Sequence, residues 1–111
     1  HLVPIVFALD DERMYTAIDD KPKRSRDLQR LANIAADPRV SVLVDSYDED
    51  WSRLWWVRVD GRAEILDEGA GKEREHALDL LAAKYEAYRS RRPSDAVVGI
   101  TISRWTAWPE N

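Results

Sequence analysis

The alternation of apolar and polar residues predicts a hairpin at the start of the chain. Residues 2–9 (LVPIVFAL) are almost entirely apolar, which is typical of a buried strand, and Pro4 indicates an edge or a bulge. The polar run 10–13 predicts a turn, and residues 14–18 (MYTAI) predict a second strand. Two strands joined by so short a turn are expected to pair with each other.

Two stretches have the spacing of a helix with one apolar face. The first begins at Ser25, which we expect to be the N-cap, and ends at Asp37-Pro38. Its apolar residues fall at i, i+3, i+4 and i+7, namely Leu28, Leu31, Ala32 and Ala35. The second helix is predicted over 72–90. Its apolar stripe consists of Ala77, Leu78, Leu81, Tyr85 and Tyr88.

Three further strands are predicted at 39–46, 54–66 and 96–108. Along 54–66 one face carries Val57, Val59, Ala63 and Ile65, and the other carries Trp56, Arg58, Asp60, Arg62 and Glu64. Gly61 indicates a bulge or a bend. The order β-β-α-β-β-α-β, mostly meander-like, predicts an α+β domain that is mainly β: a small antiparallel barrel with helices at its ends.

Composition narrows the class of protein. The 111 residues suit a single domain over 1–111, and 44% apolar with 34% charged residues is typical of a soluble globular protein. The longest apolar run is far shorter than a membrane span. Without cysteine there are no disulfides, which favours a cytoplasmic location. The net charge of −4 disfavours general nucleic-acid binding. Because His1 leads directly into a strand, we expect an N-terminal helix and part of the first strand to be missing.

A basic segment interrupts this acidic chain. Residues 21–30 (KPKRSRDLQR) hold five of the seventeen Lys and Arg side chains, at the predicted start of the first helix. Backbone N–H groups at a helix start, together with cations, favour an anion such as phosphate. Lys23 and Arg24 are the main candidates, and Lys21 can reach the same anion. Two cations further along the helix, Arg26 and Arg30, suit a more distal charge. The alternative is a solvated charged loop.

Tryptophan and arginine supply the other candidates. Trp56 either fills an interface or lies under a helix, or its ring flanks a planar ligand, as Trp105 or Trp108 can. Arg58 either forms a ladder with neighbouring carboxylates or reaches a bound anion. The sequence contains no nucleophile–histidine–acid arrangement and no metal-binding spacing, and His76 is interpreted as an ordinary helix residue. If the chain is an enzyme, a bound cofactor must supply the difficult chemistry.

Several runs resemble one known family. They are residues 14–19 (MYTAID), 21–24 (KPKR), 37–40 (DPRV) and 56–63 (WVRVDGRA). Their order resembles the pyridoxamine-phosphate-oxidase-like split β-barrels, with an FMN-binding-protein-like fold. The KPKR form, the loop 47–51 (YDEDW) and residues 54–59 (LWWVRV) are closer to the actinobacterial flavin/deazaflavin oxidoreductases, whose cofactor is coenzyme F-420.

The resemblance implies a homodimer with cofactor sites at the subunit interface and a small-molecule substrate. It implies that the strand formed by Tyr15, Thr16, Ala17 and Ile18 runs beside the tricyclic ring, and that Lys21, Lys23 and Arg24 hold the phosphate. Trp56 and Arg58 would approach from the partner, and Trp108 would match a late aromatic residue. The reaction expected is hydride transfer between coenzyme F-420 and an electron-poor molecule.

Two alternatives stay open: an FMN-dependent oxidoreductase of the same fold, or a non-catalytic carrier of a flavin or deazaflavin. The sequence has no counterpart of the C-terminal Arg-rich motif with which the true oxidases bind substrate phosphate. Pyridoxamine phosphate oxidation is therefore disfavoured.

Overall fold

The computed structural model describes residue 2 and residues 4–18, 24–93 and 96–109; of residues 24–28 and 68 it describes the backbone alone. Five strands form one antiparallel sheet in the order β1-β2-β5-β4-β3. The strands are β1 (Ala8–Asp10), β2 (Arg13–Ala17), β3 (Arg39–Ser46), β4 (Trp55–Leu66) and β5 (Val97–Trp108). The helices are α1 (Arg24–Ala36), α2 (Gly71–Lys84) and α3 (Glu86–Ser90), with a 3₁₀ turn at Glu68–Ala70. The mainly β, α+β prediction and its element order are confirmed.

The sheet separates two hydrophobic clusters, and strand β2 contributes alternate residues to each. Tyr15 and Ala17 pack with α2 residues such as Leu81. Met14 and Ile18 point to the opposite face, into a cluster that also contains Val residues of β3 and β4 and the apolar side of α1. A strand buried on both faces reads as a continuous apolar run, as residues 14–18 do. Within the described residues, no helix has the length and apolar character needed to cross a membrane.

The first predicted strand is shorter than expected, because only Ala8–Asp10 pair as β1. Side chains bind the backbone of the preceding residues instead. The Tyr85 hydroxyl accepts from Phe7 N–H at 3.1 Å and donates to Phe7 C=O at 3.0 Å. The Thr16 hydroxyl donates to Val6 C=O at 2.7 Å. These bonds satisfy backbone groups that a strand would otherwise pair in a ladder.

Both helix predictions need a correction. The second helix is not continuous over 72–90, because it ends at Lys84, and Tyr85 adopts an extended conformation with φ −118° and ψ 119°. The hydrogen bonds from Tyr85 to Phe7 hold it at this break. The first helix begins at Arg24, so Ser25 lies in its first turn and the prediction of an N-cap there is wrong.

The predicted irregularity at Gly61 is confirmed, and its extra residue lies on the neighbouring strand. Asp60 pairs with Arg104 and Gly61 with Ile102, which leaves Ser103 as the additional residue of β5. The two strands approach closely here, since a Cβ on Gly61 would lie 2.4 Å from the Thr101 carbonyl oxygen. Only glycine fits this position without displacement of the backbone.

Candidate cofactor site

The basic segment joins the end of β2 to the start of α1. Lys21 and Lys23 lie outside the described residues, and for Arg24 only the backbone is described, as the first residue of α1. The predicted phosphate clamp therefore stays a prediction. The strand before it is anchored by a hydrogen bond from Ile18 N–H to Ala96 C=O at 3.0 Å.

The four predicted ring-binding residues, three in β2 and Ile18 directly after it, are all buried inside the protomer. The Tyr15 hydroxyl lies 3.5 Å from a Glu73 carboxylate oxygen, and burial, with the Glu73 charge, raises the pKa of Tyr15. The Thr16 hydroxyl is bonded to Val6, and Ile18 lies in the second cluster. The side chains of Tyr15, Thr16 and Ile18 are thus occupied by contacts within the fold.

Ala17 is different, because it lines a cavity of about 280 Å³ at the end of β2. The other lining residues are Pro4, Ile5, Val6, Arg30 and Tyr88. Arg30, which the sequence suggested for a distal charge, therefore lies beside the same strand as Ala17. The cavity is apolar on the side of residues 4–6 and carries a cation on the side of α1.

Trp56 and Trp108 are brought together at the other end of the sheet. They are register partners on β4 and β5, so both side chains project from the same face. Trp56 is half-buried and Trp108 is 42% exposed. Two neighbouring, partly exposed indoles offer a flat apolar surface of the kind that a planar ring system contacts.

Arg58 forms the predicted ladder of opposite charges. Its Nε donates to Asp60 Oδ1 at 3.0 Å, and its Nη2 lies 3.3 Å from the Ser41 hydroxyl. The hydrogen bond from Ser41, together with Arg58, lowers the pKa of Asp60. Arg58 is more than half exposed, so its guanidinium keeps donors available to solvent or to a ligand.

The predicted residues therefore fall into two groups at opposite ends of β5. Ala17 pairs with Val97, the first residue of that strand, and Trp56 pairs with Trp108, the last. The two ends are separated by roughly 35 Å along a strand of this length. Ala17, with the basic segment beyond it, belongs to one end; Trp56, Arg58 and Trp108 belong to the other.

Sequence reasoning missed a third group, in a cleft of about 840 Å³ between the β1–β2 turn and the first turns of α2. We call it the hairpin cleft; its walls are Asp10, Asp11, Glu12, Arg13, Tyr15, Lys72, Glu73 and His76. His76 Nε2 lies 2.5 Å from Asp10 Oδ2, so His76 connects α2 to the N-terminal hairpin and is not merely an ordinary helix residue. No local pattern predicts a contact across 66 positions. Among the described residues, no group of three or more metal-binding side chains occurs.

Comparison with known proteins identifies the family. No curated protein matches the chain. One solved structure, the crystal structure of an FAD-binding protein from Mesorhizobium loti, is 26% identical, with a TM-score of 0.64 over 96% of this chain and 73% of that one. A family model described as pyridoxamine 5'-phosphate oxidase matches residues 1–109. Since that model spans nearly every residue, the chain belongs to the pyridoxamine 5'-phosphate oxidase family and has its split-barrel fold.

Proposed function

We propose that this protein is a flavin- or deazaflavin-dependent oxidoreductase that works as a homodimer, with coenzyme F-420 as the preferred cofactor. The family match and the FAD-binding neighbour support a flavin-type cofactor. One observation carries the proposal furthest: the candidate residues divide between the two ends of β5. A second copy related by a two-fold axis brings the tryptophan end of one protomer to the basic end of the other, twice.

The residues at the two ends fit different parts of such a cofactor. Trp56 and Trp108 present partly exposed indoles for a planar ring, and Arg58 adds hydrogen-bond donors at the edge of that surface. The basic segment supplies charge for the phosphate, and Arg30 lies beside the cavity at Ala17. When bound, the cofactor supplies hydride transfer to or from an electron-poor small molecule. The role of the chain is to bind and orient the ring and to exclude water from it.

The choice of coenzyme F-420 over FMN follows from charge. Five cations in ten residues exceed what one phosphate group needs, and a cofactor with further anionic groups uses them better. FMN is the alternative within the same fold, and a carrier without catalysis is the other alternative. Oxidation of the reduced cofactor by enones or quinones separates an enzyme from a carrier.

The test is a fluorescence titration of coenzyme F-420 and of FMN against the wild-type protein and two double variants. One variant is Lys23→Ala with Arg24→Ala, and the other is Trp56→Ala with Trp108→Ala. Each is expected to weaken binding at least tenfold. Trp105→Ala is the matched control, because Trp105 is 52% exposed on the same strand but projects from the opposite face. Equal affinity of wild type and both double variants would refute the site.

Mixing the two double variants tests the shared site directly. In a mixed dimer one site receives both defects and the other receives neither. About a quarter of all sites are then intact after random exchange of subunits, and binding partly returns. If each site is built from one protomer, mixing restores nothing.

A further inference from the structure

The hairpin cleft holds a group of titratable side chains that the proposed cofactor site does not use. Its outer contact is the pair His76 and Asp10, with side chains 49% and 40% exposed. The imidazole also makes an edge-to-face contact with the Tyr15 ring at 6.2 Å between centroids. The pair is therefore open to solvent.

A second, inner contact lies below this pair. Arg13 Nη2 is 3.3 Å from Glu73 Oε1, and the Tyr15 hydroxyl is 3.5 Å from Glu73 Oε2. The Arg13 Nε and Nη2 atoms are buried without a hydrogen-bond partner in the described structure. Burial, with the Glu73 charge, raises the pKa of Tyr15, so its phenol stays protonated at neutral pH.

The N-terminal hairpin depends on α2 for its position. Strand β1 pairs with β2 at only three positions and forms one edge of the sheet. The preceding residue, Phe7, is bonded to the far end of α2 through Lys84 and Tyr85, at 2.7 Å and 3.0 Å. The contacts of Asp10 and Arg13 hold the near end. Loss of the outer contact therefore loosens one of two attachments.

We propose that the pair His76–Asp10 is a pH-sensitive latch that holds the N-terminal hairpin to α2 when the imidazole is protonated and loosens this attachment when the imidazole is neutral. An imidazolium adds the attraction between opposite charges to its hydrogen bond with the ionised Asp10 carboxylate, whereas a neutral imidazole keeps at most the hydrogen bond. Asp11, Glu12 and Glu73 favour the charged ring, whereas Arg13 and Lys72 oppose it; Glu64 lies behind Arg13 at 4.0 Å. The latch holds while Asp10 is ionised and His76 is charged. It weakens when the imidazole becomes neutral at higher pH.

The test is amide hydrogen exchange at about pH 5 and about pH 8, corrected for the intrinsic pH dependence of exchange. The local opening of residues 8–13 and 71–77 is expected to rise between about 1.5-fold and about 5-fold at the higher pH, the range for an exposed ion pair. Residues 39–46 and 55–60 serve as an internal reference, and their local opening should not change with pH.

His76→Gln is the decisive variant, because glutamine keeps an N–H donor and cannot become a cation. Its hairpin opening should no longer depend on pH, and Asp10→Asn should behave in the same way. If wild type and His76→Gln show the same pH dependence, the latch is refuted. If the variants fail to fold, a proton NMR titration of the wild type decides: the amides of Asp10 and Arg13 must follow the His76 ring signals and not those of His1.

Discussion

The two ends of the sheet differ in what covers them. At the α2 end, the helix packs on β1, β2 and the start of β5, and Leu66, Leu81 and Val97 have no exposed surface. The tryptophan end is formed by β3, the start of β4 and the end of β5. Its exposed residues include Leu43 at 64% and Trp108 at 42% on one face of the sheet, and Trp105 at 52% on the other face. No described element of the protomer packs over them.

This difference suggests that the α2 end stabilises the fold and that the tryptophan end recognises a ligand or a partner. The α2 end buries most of its apolar surface within one protomer, so its residues are expected to determine the free energy of unfolding. At the tryptophan end, Leu43 and Trp108 are exposed on the same face, and large apolar side chains exposed together mark a surface for a ligand or a partner. Substitutions at the two ends should therefore change different measurements, and four experiments test this from the largest expected effect to the smallest.

Gly61→Val is expected to have the largest effect, because Gly61 lies at the bulge that connects the two ends. An added side chain meets the Thr101 carbonyl oxygen and Ile100 Cγ2 at 2.4 Å and 2.9 Å. We expect a loss of about 3 kcal/mol in chemical denaturation. Gly69→Ala is the control, because its nearest neighbour at 3.1 Å is the end of the exposed Asp67 side chain. A similar loss in both variants would contradict the close approach at the bulge.

Leu81→Ala compares the ends most directly. Removing this fully buried side chain should cost about 3 kcal/mol, whereas Leu43→Ala at the tryptophan end should change stability by less than about 0.5 kcal/mol. Both are measured by denaturation at several protein concentrations. A loss for Leu43→Ala that grows with protein concentration would indicate that a second copy covers this end. If Leu43→Ala lost as much stability as Leu81→Ala at every protein concentration, the two ends would not differ in their contribution to stability.

Tyr85→Phe removes the hydroxyl that is bonded to both backbone groups of Phe7. We expect a loss of about 1 to 2 kcal/mol, because those groups are left without these partners. The matched control is Tyr47→Phe, since Tyr47 is 73% exposed. Equal stability of the two variants would show that the hydroxyl does not hold the segment.

The smallest effect concerns Asp37, between α1 and β3. Hydrogen bonds from the Arg39 side chain and backbone lower the pKa of Asp37 to about 2. A depressed carboxyl pKa contributes stability at neutral pH, and this contribution is lost as pH falls from about 4 through about 2. Carbon-13 NMR should place the midpoint near 2, and Arg39→Ala should return it towards 4. A midpoint that does not move would exclude the Arg39 side chain as the cause, since alanine keeps the backbone N–H.

The periodicity of the sequence predicted the strands at 39–46, 54–66 and 96–108 closely, since each alternates over many residues. It could not predict the break at Tyr85, which depends on hydrogen bonds to Phe7, 78 positions away. The prediction of a strand over residues 4–7 was wrong because distant side chains bind the backbone of residues 6 and 7, and an apolar composition does not reveal such hydrogen bonds. In the candidate site, the sequence could identify Trp56 and Trp108 one at a time. That they are neighbours depends on the register between β4 and β5, which the sequence does not reveal.

The hydroxyl of Tyr85 also bears on aggregation. An edge strand with free backbone groups invites pairing with other chains. At Phe7, just before the edge strand β1, the N–H and the C=O are both occupied by Tyr85, and Lys84 also binds the C=O. A neighbouring molecule therefore finds few free groups on which to extend the sheet there. Tyrosine at position 85 thus removes, at Phe7, the backbone groups on which such pairing would depend.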